Sequence, residues 1–282
     1  MIEINNLDFS YKRNKLIIND LSLKIESGYI HGLLGKNGTG KTTLLKLISG
    51  LLFPNSGDLM VMDYIPKQRK VGFLEDVFFL NEEFDVAGLS IENYLKYNSV
   101  FYPKFSKDDF YNYLQEFEIE DTKAKLSSLS YGTKKKVIIA FGLATHSRLM
   151  ILDEPTNGLD IPSKAQFRKI ILRAMSPETT IIISTHQVRD LHNLIDSILI
   201  MDNGNIILNA SNNEISSKLY FGIERNNEGE GNYIYSEDSI AGNTYVMENT
   251  ENLESNIDIE LLFNAVFQNR EKINSLFNNN KK

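Results

Sequence analysis

The chain has 282 residues, and its 30 Lys and Arg stand against 37 Asp and Glu for a formal charge of −7. It contains no cysteine, which excludes disulfide frameworks, zinc–cysteine sites and thiol nucleophiles. The acidic balance argues against a broad nucleic-acid footprint, so no nucleic-acid partner is expected, and no apolar run approaches the roughly 18–20 residues that cross a bilayer.

In chain order, Met1-Ile2-Glu3-Ile4-Asn5-Asn6 lacks the basic start and apolar core of a signal peptide. Leu21 to Glu26 alternates apolar and polar residues, the pattern of a half-buried strand. Tyr29 to Leu34 is a compact apolar run that reads as a buried strand. A glycine-rich turn follows from Gly35 to Gly40, and apolar residues at 44, 45, 47 and 48 predict a helix from Lys41 to Ser49. Residues from about 76 to 145 read as a largely helical subdomain. Thirteen of the chain's 29 aromatics lie between Phe73 and Phe117, enough for an aromatic core with a few left over to line a docking groove. Leu149 to Leu152 is a second buried strand, ending in Asp153-Glu154-Pro155. Thr180 to Ser184 is a third, ending in Thr185-His186. Ser197 to Met201 is a fourth, followed by the turn Asp202-Asn203-Gly204 and the strand Asn205 to Leu208. Strands alternating with helices predict an α/β fold with a mostly parallel sheet, whose ligands bind at the carboxyl ends of the strands.

A composition break near 210 marks a second unit. Residues 1–210 carry a net charge of −1 and residues 211–282 a net of −6, and Asn fills 15 of those last 72 positions. Short strand-like pieces at 219–224, 233–235 and 244–247 precede Ile259, Leu262, Phe263, Val266 and Phe267, which share one helical face. The expectation is a folded α+β extension.

The residues that carry chemistry cluster at the predicted strand ends. Gly35, Lys36, Asn37, Gly38, Thr39, Gly40, Lys41, Thr42 and Thr43 match G-x-x-x-x-G-K-[ST] between a strand and a helix. Such a loop wraps a phosphate with backbone N–H groups, its lysine reaches the β- and γ-phosphates, and its hydroxyl binds Mg²⁺. Asp153 ends a strand and can hold Mg²⁺, while the adjoining Glu154 can polarise a water. Leu129-Ser130-Tyr131-Gly132-Thr133 opens another helix, with Ser130 as its cap and a second set of N–H groups for an anion. The three lysines at 134–136 read as a solvated face.

Together these pieces resemble the nucleotide-binding subunit of ABC transporters over residues 1–210, in the order phosphate loop, signature at 129–133, Asp153-Glu154, then His186. The resemblance implies a P-loop ATPase cassette using ATP and Mg²⁺, working as a homodimer or heterodimer that sandwiches ATP between the phosphate loop of one subunit and the signature of the other. By that likeness Ser130 and Gly132 contact the γ-phosphate held by the opposite subunit, and Glu154 is the general base. His186 holds the γ-phosphate and attacking water, Asp160 ends the loop linking the two sites, and Tyr11 stacks on adenine. The signature departs from the family pattern by reading Ser-Tyr-Gly-Thr in place of Ser-Gly-Gly-Gln. The position of a usual metal-binding Gln is expected at Asp76, with Glu75 beside it. The resemblance further implies a cytoplasmic chain bound to the inner membrane face through a separate transmembrane permease, exporting rather than importing. A soluble assembly or regulatory ATPase is the alternative, and intact Glu154 and His186 disfavour an inactive binding module.

Overall fold

The structure is a computed structural model that describes residues 2–12, 15–86, 88–188, 193–224, 232–240 and 242–278. Strands β1 (Ile2–Lys12), β2 (Lys15–Ile25) and β4 (Ser56–Val61) form an antiparallel sheet in the order β2-β1-β4. The main sheet runs β5-β6-β7-β3-β8-β9, from β3 (Ile30–Leu34), β5 (Val77–Leu80), β6 (Leu149–Asp153), β7 (Thr180–Thr185), β8 (Ser197–Asp202) and β9 (Asn205–Ser211). Its first five strands are parallel and β9 closes it antiparallel.

Side-chain alternation decides what covers each face. Leu149, Ile151, Ile182, Leu199 and Met201 pack with α1 (Lys41–Ile48) and the N-terminal sheet. Met150, Leu152, Ile181, Ile183, Ile198 and Ile200 face the other way, toward α5 (Tyr131–Ala144) and α6 (Ile161–Ala174). Helix α5 is buried throughout Val137–Ala144, as expected of a helix that is apolar on every side.

The helical region starts later than its aromatic content suggests. After the short α2 (Val71–Leu74), residues 77–80 form the edge strand β5, paired in register with β6 from Val77↔Leu149 to Leu80↔Leu152. Four consecutive apolar residues have no helical period, so the sheet claims them. The helices proper are α3 (Ile91–Asn98), α4 (Lys107–Glu116) and α5. The aromatic core exists: Phe141 is ringed by Phe78, Tyr94, Tyr102, Phe105 and Phe110, with centroids 4.9–6.3 Å away.

Helix α7 (Asn212–Lys218) leads into a three-stranded antiparallel sheet of order β10-β12-β11, from β10 (Leu219–Glu224), β11 (Tyr233–Ser239) and β12 (Gly242–Glu248). Helices α8 (Ile259–Gln268) and α9 (Arg270–Asn278) follow. The apolar face expected at 259–267 is present, with Ile259, Leu262 and Val266 buried. Its core is continuous with that under the main sheet, because Leu262, Ala265, Val266 and Ile273 join the same cluster as Ile207, Leu208 and Ala210. The extension is therefore packed onto the main-sheet unit.

Candidate nucleotide-binding site

The loop after β3 is shaped by its glycines. Gly38 and Gly40 sit at φ +80° and +108°, the left-handed region that side chains disfavour. A Cβ on Gly35 would lie 2.6 Å from the Met201 carbonyl. Helix α1 then starts at Gly40 with no side-chain cap, whereas α3 to α8 each start on a Ser or Asp whose side chain accepts a backbone N–H. The start of α1 is thus the one among these seven that keeps its N–H groups available to an anion.

Lys41 folds its ammonium back onto the loop, donating to Gly35 O at 2.7 Å and Lys36 O at 3.1 Å. Burial lowers its pKa, opposed by Glu154, Asp153 and Glu82. Thr42 Oγ1 donates to Asp153 Oδ2 at 2.7 Å, and Ser184 Oγ donates to Asp153 Oδ1. Asp153 and Ser184, neighbours across β6 and β7, are fully buried.

Glu154 follows at φ +48° and is 4% exposed. Its N–H reaches Ser184 O at 3.1 Å. Its carboxylate accepts from Thr185 Oγ1 at 3.1 Å and His186 N at 2.9 Å, and lies 2.7 Å from His186 Nδ1. Lys41, Thr42, Asp153 and Glu154 wall a cleft of about 360 Å³ that Tyr11, Asn37, Gly38, Thr43 and Glu82 complete, with Ser184, Thr185 and His186 behind the two acids. Tyr11 is held edge-on to Phe9 with its hydroxyl 3.2 Å from Thr43 Oγ1, and its ring stays exposed. A nucleotide fits this arrangement: a ring at one end, a cationic N–H cradle, a hydroxyl–carboxylate pair, and an anchored acid at the other.

A family description for ABC transporters matches residues 18–157. The peptide export ATP-binding protein SkfE of Bacillus subtilis is 30% identical over 215 residues, spanning 73% of this chain and 87% of that one. The chain belongs to the ABC transporter ATP-binding proteins. A putative ABC transporter ATP-binding protein of Clostridium tetani is also 30% identical over 218 residues, and there the chain spans 73% of itself but only 48% of the longer relative. The solved structure of an ATP-binding subunit of an ABC transporter superimposes with a TM-score of 0.69 at 24% identity, covering 76% of this chain and 91% of that one, and so shares the fold.

In this ABC cassette the signature lies outside the cleft. Ser130 caps α5, accepting from Thr133 N at 3.1 Å. Gly132 is required by its own chain, since a Cβ there would meet Gly158 O at 2.7 Å. Asp160 caps α6 through Ser163 N at 2.9 Å, and hydrogen bonds from the Ser163 side chain and backbone lower its pKa. Tyr131, at the departure from the family pattern, stacks on Phe84 at 5.6 Å and donates to the Glu82 carbonyl.

Asp76 does not line the cleft. It precedes β5 and so stands at the amino end of the sheet, where it pairs with Lys104 at 3.0 Å and Arg148 at 3.9 Å. The acid at the carboxyl end of β5 is Glu82, two residues after Leu80, which lines the cleft and accepts from Asn157 Nδ2 at 3.0 Å. A signal for it existed: Val77-Phe78-Phe79-Leu80 followed by Asn81-Glu82 repeats the pattern of Leu149-Met150-Ile151-Leu152 followed by Asp153-Glu154. Sequence reasoning also passed over Ser184, Thr185 and Lys135. Of the lysines at 134–136 only Lys135 is buried, so the run is not one solvated face. The extension reaches the site as well, with the Lys36 ammonium 4.9 Å from the Phe267 ring of α8.

Proposed function

We propose that this ATPase cassette powers export through a separate membrane-spanning permease, hydrolysing ATP in a closed dimer with Glu154 as general base. The observation that carries the mechanism is the Glu154 carboxylate, buried, held at three points by Thr185 and His186, and set beside the Thr42–Asp153 pair. Water attacks the γ-phosphorus in line with the leaving oxygen of ADP. As the new P–O bond forms and the old one breaks, the water proton passes to Glu154. Lys41 turns from its carbonyls to the β- and γ-phosphate oxygens, and the open N–H groups of α1 neutralise further charge.

Thr42 and Asp153 offer the hard oxygen donors that suit Mg²⁺. When bound, the ion neutralises phosphate charge. Glu82 takes the place expected of Asp76. Ser130 and Gly132, outside the cleft of their own chain, act on the nucleotide of a second subunit, identical or related.

No helix among the described residues is long and apolar enough to cross a membrane; in this reading the spans belong to a separate permease, and this chain docks on it at the inner membrane face. Tyr97, Val100 and Phe101 stay 54–73% exposed at the end of α3, which supports docking there. Export is favoured by the likeness to a peptide-export relative.

The test is Glu154→Gln in the full chain. Turnover is expected to fall about 10²–10⁴-fold, the usual contribution of a general base, with ATP affinity retained. Unchanged turnover would remove Glu154 from the role. Co-purification of a multi-span membrane protein is expected, and recovery only as free protein would favour a soluble ATPase.

A further inference from the structure

Lys135 has no part in the mechanism above, yet it is placed as if it did. It lies on the first turns of α5 and is 0% exposed, unusual for a lysine. Its ammonium donates to Glu154 O at 3.0 Å and Asn157 O at 2.9 Å, and faces the Tyr131 ring at 4.8 Å. Three N–H donors thus meet two carbonyls and one aromatic face.

The first of those carbonyls is the significant one. Glu154 is held at φ +48°, a conformation that a side-chain-bearing residue keeps only when its surroundings over-determine it. Its N–H is secured by Ser184 O and Oγ at 3.1 and 3.2 Å. Its carbonyl is secured by Lys135. The carboxylate leaves from the backbone held between these two anchors. The second carbonyl, Asn157, belongs to the loop whose Gly158 packs on Tyr131 and Gly132. One side chain therefore joins the backbone of the candidate base to the signature turn of the same chain.

We propose that Lys135 is a positioning residue for hydrolysis: by clamping the Glu154 and Asn157 carbonyls it aims the Glu154 carboxylate, and it ties that aim to the signature turn of α5. The inference rests on Glu154 being the general base. Burial pulls the pKa of Lys135 down to about 8 against the attraction of Glu82, Glu154 and Asp153, consistent with an ammonium kept for its donors in a place where charge is costly.

The experiment compares Lys135→Met, which keeps length without donors, with Lys135→Gln, which keeps two amide N–H groups. Both are made in the full chain, with kcat, KM for ATP, thermal midpoint and Glu154→Gln measured alongside. Lys135→Met is expected to lower kcat at least ~10-fold with KM within ~3-fold, since small misplacement of a reacting group has effects of this size. Lys135→Gln is expected to restore much of that loss. A Lys135→Met enzyme with wild-type kcat, a Gln variant no better than Met, or kcat and KM failing together would overturn the proposal. Should Lys135→Met lack a cooperative thermal transition, Gln is compared with Lys135→Asn, too short to reach either carbonyl. Gln must then exceed Asn in kcat at equal KM, and equality overturns it. If Glu154→Gln is inactive while Lys135→Met is normal, only this inference fails. If Glu154→Gln stays active, the reading it rests on fails first.

Discussion

Two helix starts in this cassette look alike on paper and differ in space. Both α1 and α5 begin beside a glycine and a hydroxyl residue, and both present backbone N–H groups. At α1 the turn is uncapped, its glycines are left-handed, and Lys41, Thr42, Asp153 and Glu154 gather around it. At α5 the turn is capped by Ser130, and Gly132 is pressed against Gly158. The first gathers the whole candidate phosphate cradle within one chain. The second is a capped, tightly packed turn outside that cleft, which the proposed function sets against the nucleotide of a second subunit. A glycine at a helix start thus opens onto a cleft in one case and packs against a neighbouring loop in the other, and only the surroundings tell which.

The largest expected break in this contrast is Lys41→Ala. It removes the cation of the complete site, and kcat/KM should fall about 10²–10³-fold. ATP affinity should weaken too, as titration of the isolated chain would register. Gly132→Ala probes the other start. The added Cβ displaces the Gly158 carbonyl, and turnover should drop on the order of tenfold while ATP binding by the isolated chain stays within twofold. A fall in that binding would mean the two starts serve one nucleotide. The smallest effect sharpens the assignment of acids. Asp76→Asn should leave ATPase activity within about twofold, since it loses only partly exposed ion pairs away from the cleft. Glu82→Gln should shift the Mg²⁺ dependence of turnover, and the reverse pattern would return the role to Asp76.

Most of the parallel sheet was legible because buried parallel strands are short apolar runs ending in polar turns. The edge strand β5 escaped because it is four residues long and opens an aromatic-rich stretch whose bulk is helical. That slip put the expected metal-binding position at Asp76, six residues before the acid that lines the cleft. Glu154 and His186 could be named from order along the chain. Their mutual contact, and the hydroxyls of Ser184 and Thr185 that secure Asp153 and Glu154, depend on β6 and β7 lying side by side.

The sequence by itself determined the glycine-rich loop before α1, the acids after β6 and the acidic, Asn-rich composition of the extension. These are local properties: backbone freedom at glycine, hydrophobic period and composition. Tertiary structure decided which acid after a strand reaches the cleft, which of three adjacent lysines is buried, and that the extension shares the cassette's core and sets Phe267 over Lys36. These depend on strand register and on which face of a helix meets a neighbour, and a few ångströms there separate a solvated charge from a clamp on the candidate base.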